Sequence, residues 1–411
     1  MKILRIIQLP LVVLILILIS MNVTPVESAI FNVTLGGDIY GTYDDNFLLQ
    51  NDDQIDASNE DPHDKILQIR PFIQVMHEGK RYFVRGKYTL FHEWYYIDHN
   101  ISRDERSYVN VDLAASWDMT DRLTLALYDD YKDSLYGLEQ EEIPEIREGY
   151  ITNVISPQIS YSDADRLNLG LKVRWQFLDY NRDPILYDRD LYGYLDWEEV
   201  GAEVTANVKF LTCTDIILGG GFWTREYDNI CCRTKPDVDG YNLRAGVTQR
   251  FGDRVSVSGW LNYDHREYSV FCECLAKEKY DNFGGFLEIN NQFSEVSRLT
   301  LGAHSNFSSS ERFSNGFYRD TGVDGIYVLK YWRHVEISTQ LGYSTLEYDN
   351  IGETFKDDYY RARFTVGYQA AEWVSIRLRY QYAERDSERD EYDFNDNLVS
   401  LYLHIKYDLF H

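Results

Sequence analysis

The stretch Leu167-Asn168-Leu169-Gly170-Leu171-Lys172-Val173-Arg174-Trp175-Gln176-Phe177 decides how the chain is read. Leu167, Leu169, Leu171, Val173, Trp175 and Phe177 fall on one side of a period-two pattern, and Asn168, Lys172, Arg174 and Gln176 on the other. That period is the mark of a β-strand with one apolar and one polar face. The alternation returns in Leu123, Leu125 and Leu127, in Val255, Val257 and Leu261, and in Val374, Ile376, Leu378 and Tyr380. An Arg facing lipid near the bilayer midplane costs about 2–4 kcal/mol, so if the apolar face meets lipid the basic face must line a lumen.

Working outward, tight polar turns launch one alternating strand after another: Thr120-Asp121-Arg122, Asp165-Arg166, Gly252-Asp253-Arg254 and Ser297-Arg298. Their spacing of roughly 40–48 residues is that of a repeated unit, here two strands and a longer acidic loop. The period-two test predicts strands over 31–43, 65–76, 81–95, 106–118, 122–133, 148–162, 166–180, 190–210, 215–229, 239–251, 254–269, 280–293, 298–311, 317–331, 334–349, 357–370, 373–385 and 395–410. The expectation is all-β: an antiparallel up-and-down transmembrane barrel of about 18 strands, the even count of single-chain bacterial barrels. A soluble sandwich also alternates, but it would bury its apolar faces between two sheets. This many strands without a domain break favours the barrel. Short turns around Gly79, Asp121, Ala164, Gly252 and His334 would then face the periplasm, with the long loops outside the cell.

Composition agrees. The chain has 411 residues, 67 acidic against 41 basic, and 15% aromatic side chains including 34 Tyr. Such aromatic content excludes disorder, and beyond the N-terminus no apolar run approaches the roughly 20 residues of a spanning helix. A mean hydropathy of -0.43 still permits a barrel, because its lumen face is polar.

At the N-terminus, Lys2 and Arg5 precede an apolar run from Ile6 to Ile19, followed by small residues at Ser28 and Ala29. This pattern predicts an export signal over residues 1–28, with the barrel over 29–411; a membrane anchor is the alternative, disfavoured by the shortness of the run.

Two short segments carry a family resemblance. Gly41-Thr42-Tyr43-Asp44-Asp45-Asn46, followed by Ile66-Leu67-Gln68-Ile69-Arg70-Pro71, resembles the start of the putative β-barrel porin family 2. Tyr392-Asp393-Phe394-Asn395-Asp396-Asn397-Leu398-Val399 is similar to that family's entry into its last strand. Leu401, Leu403, Ile405, Tyr407 and Leu409 lead to Phe410 and resemble the terminal strand read by outer-membrane assembly machinery, although His411 replaces the usual final Phe. The resemblance implies a bacterial outer-membrane protein encoded with exopolysaccharide export systems. Its partners would be outer-membrane lipid and lipopolysaccharide, the barrel assembly machinery and periplasmic export components, with no nucleic acid and no cofactor.

Projected onto the wall, the alternation places Arg70, Arg85, Lys87, Arg361, Arg363, Arg377, Arg379 and Lys406 inside, on strands that become neighbours once the first pairs with the last. A basic arc in a narrow pore would favour anions. Asp112, Glu288 and Glu336 are inward acidic candidates, and the alternative is that acids and bases neutralise one another in a plugged lumen. Most Tyr and Trp would form interfacial girdles. Phe72, Phe83, Trp260 and Tyr402 point inward and could stack on sugar rings.

Cys231 and Cys232 fall in one outer loop and Cys272 and Cys274 in the next, which predicts loop-to-loop disulfides in an oxidising compartment and leaves Cys213 over. A metal site is the rival, but the Cys spacing is not that of zinc sites. The acidic run Asp52, Asp53, Asp56, Glu60, Asp61 and Asp64 reads as a solvated loop in preference to a calcium site.

The nine His are scattered, without a Ser-His-acid arrangement, an HExxH or a phosphate loop, and His265 beside Asp264 is the nearest approach to a site. No enzymatic activity is expected. The leading expectation is a passive conduit for exopolysaccharide, ahead of a nutrient-uptake porin for small anionic or sugar solutes and of a closed structural or adhesive barrel. Uptake would need a constricting loop, for which residues 44–64 or 134–147 are the candidates.

Overall fold

Strands that are apolar on one side and polar on the other cannot stay flat in a membrane, because an open sheet leaves two unpaired edges in hydrocarbon; closure removes both. The computed structural model shows that closure and describes residues 30–46, 63–96, 105–134, 150–163, 166–180, 196–227, 237–269, 279–309, 317–350 and 353–409. The strands are β1 (Ile30–Asp44), β2 (Asp64–Glu78), β3 (Tyr82–Tyr95), β4 (Glu105–Asp118), β5 (Leu123–Ser134), β6 (Tyr150–Asp163), β7 (Leu167–Tyr180), β8 (Trp197–Leu211) and β9 (Thr214–Tyr227). They continue as β10 (Val238–Phe251), β11 (Val255–Tyr268), β12 (Lys279–Ser294), β13 (Ser297–Ser309), β14 (Phe317–Tyr331), β15 (Val335–Asn350), β16 (Glu353–Ala371), β17 (Val374–Ser387) and β18 (Phe394–Asp408). All lie in one 18-stranded antiparallel sheet in sequence order, and β1 pairs with β18 to close the wall.

The predicted strands correspond to these one for one. Two limits moved. The strand predicted from 190 is described from Trp197, and residues 190–195 lie outside the described residues, as do 1–28. The sixteenth strand starts at Glu353 instead of 357, pairing as far as Asn350 with Glu353. Its extension, Glu353-Thr354-Phe355-Lys356, is polar on one face and lacks the lipid-facing apolar residues the period-two test looks for.

The outward face is a belt of large apolar side chains, with Phe283 at 75% and Leu261 at 73% exposure. At one end the strands join by turns of a few residues, such as Gly252-Asp253-Arg254, where Gly252 adopts a φ of +65° that a residue with a Cβ avoids. The longer connections gather at the other end, the arrangement of outer-membrane barrels with the short turns in the periplasm.

The two segments that carry the family resemblance meet at the seam. The Asn46 side chain donates from Nδ2 to the Asn395 carbonyl at 2.8 Å, and the Asp45 backbone N–H donates to the Asn397 carbonyl at 3.2 Å. Residues some 350 positions apart in the chain thus interlock where the first and last strands leave the sheet.

Candidate functional site

The register settles which side chains face the lumen. Across the seam Gly36 pairs with Phe72 and Lys406, Asp38 with Arg70 and His404, and Tyr40 with Gln68 and Tyr402, so these share one face. Onward, Gln74 pairs with Lys87 and Met76 with Arg85. In the other direction Tyr402 pairs with Arg377 and Ser400 with Arg379, and Arg363 and Arg361 follow on β16. Leu35, Ile39, Leu401 and Leu378 occupy the opposite, exposed face. The eight basic side chains proposed from the sequence are therefore brought together inside, over β16–β18 and β2–β3, with Tyr40 of β1 in their midst.

Their electrostatics are distinctive. Among the described residues, Arg70, Arg85, Lys87, Arg361, Arg377 and Arg379 make no ion pair, and the Nε atoms of Arg70 and Arg379 are buried without a hydrogen-bond partner. Aromatic faces surround them instead: Arg70 lies 4.1 Å from the Tyr40 ring centroid and 4.9 Å from that of Phe91, Arg379 4.6 Å from Tyr402, and Lys87 4.7 Å from Phe72. The Tyr40 and Tyr402 rings meet edge to face at 4.4 Å. Such contacts hold a cation in place without neutralising it. Two members of the arc differ, since Lys406 pairs with Asp408 at 3.7 Å and Arg363 donates to Gln381 at 2.9 Å.

Elsewhere on the inward face several cations are matched. Glu199, 3% exposed, is shared by Arg174 and by Arg225 at 2.8 Å. Arg266 pairs with Asp264 at 2.9 Å and Lys132 with Asp130 at 2.7 Å. These pairs share the inward parity of the arc, as does Arg385 of β17, which pairs with Asp357 of β16 at 3.4 Å, so the unpaired cations of the arc stand among matched ones.

Of the acidic candidates, Asp112 lies directly opposite Lys87 in the β3–β4 register and Glu336 opposite Lys330 in β14–β15, both on the inward face. Glu288 accepts a hydrogen bond from Asn290 on β12, away from the arc. Phe72, Phe83, Trp260 and Tyr402 have inward parity, and Phe72 packs over Gly36, where a Cβ would meet its ring at 2.4 Å. His265 turns outward, stacks on Tyr241 at 4.8 Å and hydrogen-bonds Asp281 at 2.7 Å, which makes it a girdle residue apart from Asp264.

Cys213 is exposed and free in the turn between β8 and β9. Cys231, Cys232, Cys272 and Cys274 lie outside the described residues, as do Asp52, Asp53, Asp56, Glu60 and Asp61 and most of 44–64 and 134–147. Among the described residues no cluster of His, Cys, Asp or Glu is arranged to hold a metal.

Sequence reasoning missed Tyr40, Arg244, Arg225 and Glu199. The alternation of Tyr241, Leu243, Ala245 and Val247 around Arg244 contained the signal for that residue. Burial also varies along the lumen. Near the outer end, Tyr95, Tyr108, Tyr268, Tyr348 and Phe394 are buried, with Glu93 accepting hydrogen bonds from Tyr95, at 2.6 Å, and from Tyr108. Arg85, Arg361 and Arg377, further toward the short turns, are exposed. Inward side chains are thus buried near the outer end of the strands and exposed nearer the short turns.

Residues 298–407, spanning β13 to β18, match the family model described as Putative beta-barrel porin 2. The chain is an outer-membrane β-barrel of porin architecture. Solved structures agree on the fold of this porin-type barrel. OccK2 (OpdF) of Pseudomonas aeruginosa superposes with a TM-score of 0.52 at 11% identity, covering 93% of this chain and 98% of that one. OccAB2 of Acinetobacter baumannii gives 0.51 at 10% identity over 92% and 98%. OpdK of Pseudomonas aeruginosa, in a structure with vanillate, gives 0.50 at 10% identity over 92% and 98%. A comparison with curated proteins gives no match.

Proposed function

We propose that this porin-type barrel is a passive diffusion channel for small anionic solutes, with uptake as its direction of use. The observation that carries this reading is the arc of Arg70, Arg85, Lys87, Arg361, Arg377 and Arg379, which among the described residues forms no ion pair. In a water-filled pore with low-dielectric walls, such charges raise the local concentration of anions and repel cations. The net charge of -26 points the other way, but it is a property of the whole chain and does not describe the inner wall. The aromatic rings threaded through the arc offer apolar contact to a solute that carries a ring as well as a charge. That OpdK, a barrel of the same fold, was solved with vanillate, an aromatic carboxylate, is in keeping with this reading.

Export of an acidic exopolysaccharide is the second reading. It is favoured by the match of residues 298–407 to the porin 2 model, together with the resemblance that links that family to polymer export. The aromatic side chains buried near the outer end weigh against it, because a polymer needs a wider passage than a small solute does.

Planar-bilayer recordings across a salt gradient test the first reading. Anion selectivity is expected, falling several-fold in an Arg377→Ala, Arg379→Ala double variant. Cation selectivity that the double variant leaves unchanged overturns it. Deletion of the chain with loss of secreted polysaccharide and normal solute uptake would establish the second reading instead.

A further inference from the structure

One row of the β12–β16 wall alternates charged side chains with glycines. In register, Glu288 of β12 stands opposite Gly302 of β13, Gly302 opposite Asp324 of β14, Asp324 opposite Gly342 of β15, and Gly342 opposite Arg361 of β16. All five share the inward parity, on the side away from the exposed Val323 and Leu341. Asp324 is half-buried and Arg361 exposed.

The place that a Cβ of Gly342 would take lies 4.0 Å from the Asp324 Cβ on one side. On the other it lies 3.9 Å from the Arg361 Cβ and 4.0 Å from the Arg361 Nε. Acid and guanidinium thus flank a slot one strand wide, and they do not close it. Neither makes an ion pair among the described residues, and the Asp324 carboxylate leans the other way, over Gly302. The groups around them are engaged elsewhere: His304 pairs with Asp320 at 3.2 Å, Glu288 accepts from Asn290, and Arg363 donates to Gln381 at 2.9 Å.

We infer that Asp324, Gly342 and Arg361 form a subsite for small zwitterions of the α-amino acid type. The guanidinium fork matches the two oxygens of a carboxylate. The Asp324 carboxylate accepts from an ammonium, and Gly342 leaves room for the carbon between the two charges. With strands about 4.8 Å apart, the Cα atoms of Asp324 and Arg361 are separated by roughly 9.6 Å. Two charge-assisted hydrogen bonds of about 2.8 Å leave roughly 4 Å of that span, the reach from the nitrogen of an α-amino acid to its far carboxylate oxygen. A simple anion gains the guanidinium but meets repulsion at Asp324, and a simple cation meets the reverse, so the row favours a molecule carrying both charges. The inference rests on the reading of the barrel as an open channel for small solutes and goes beyond its anions.

The test is liposome swelling with the whole barrel reconstituted, comparing L-alanine with lactamide, its uncharged isomer. Alanine is expected to enter several-fold faster. Asp324→Asn and Arg361→Gln should each bring the two rates together. Exchanging the charges, Asp324→Arg with Arg361→Asp, should restore the difference, because the slot then takes the solute turned round. Gly342→Val should reduce the difference with both charges in place, and a Cβ there meets nothing closer than 3.9 Å, so this variant assembles even if the exchange does not. Equal rates in the wild type, a difference that survives both Asp324→Asn and Gly342→Val, or an assembled exchange variant no better than the single ones overturns the subsite. No swelling with either solute overturns instead the open-channel reading on which it rests.

Discussion

The carboxylate of Asp45, just past the end of β1, accepts two hydrogen bonds from Asn397 of β18: from the backbone N–H at 2.6 Å and from Nδ2 at 2.9 Å. The Asn397 Oδ1 in turn accepts from the Tyr380 hydroxyl of β17 at 2.6 Å. One side chain thereby ties the penultimate, last and first strands across the closure of the barrel. Hydrogen bonds to a charged acceptor contribute about 1.5–3 kcal/mol each, so Asp45→Ala should weaken the seam by about 2 kcal/mol after allowance for its position near the rim. The measurement is the temperature at which the folded band is lost on a heat-modifiability gel, expected to fall for Asp45→Ala and less for Asp45→Asn. An unchanged transition would show that the clasp is ornamental to closure.

A second prediction concerns the paired cations. Glu199 is almost fully buried and holds Arg174 and Arg225, the latter also lying 4.0 Å from the Trp197 centroid. Removing its charge strands two cations, and breaking a buried pair from one side costs about 3–5 kcal/mol. Glu199→Gln should therefore lower resistance to urea in detergent micelles by that order. Asp130→Asn, which breaks the exposed pair with Lys132, should cost under about 1 kcal/mol. Equal losses in the two variants would contradict the assignment of Glu199 as a buried bridge.

The face assignment has its own test. Leu261 is 73% exposed on the outward face at mid-height of β11, while Ser258 of the same strand has inward parity. Leu261→Arg should cost about 2–4 kcal/mol of stability in a bilayer. Ser258→Arg should be tolerated and shift conductance instead. Urea titration in liposomes distinguishes them, and a more stable Leu261→Arg protein would invert the wall.

Much of this was legible in the sequence for one reason: a barrel wall separates hydrocarbon from water at every second residue, so the alternation in β7 or β17 reports the face of each side chain directly. In the register all eight basic residues proposed for the arc share the parity opposite the exposed apolar belt. Pairing was not legible. Arg225 and Arg377 look alike in sequence, each on the polar side of an apolar alternation, yet one is bridged by Glu199 and the other makes no ion pair among the described residues. The difference depends on what the adjacent strand presents at the same height, which is fixed by register. The stacking of Trp260 on Phe286 was half-visible for the same reason: Trp260 could be placed inside, but its partner belongs to another strand.

The orientation of the barrel can be read from Cys213, exposed in the short turn between β8 and β9. If short turns face the periplasm, a variant that keeps Cys213 but has Ser at 231, 232, 272 and 274 should resist a bulky membrane-impermeant maleimide in intact cells. It should label fully once the outer membrane is permeabilised. Labelling is read as a mass shift on purified barrel, with Cys213→Ser as the blank. Rapid labelling of intact cells would place the short turns outside, and the packed tier of Tyr95, Tyr108 and Tyr348 would then guard the periplasmic mouth instead of the outer one. An uptake channel would in that case present its open, cationic half first to incoming solute, so this single thiol decides the order in which a solute meets the aromatic tier and the arc.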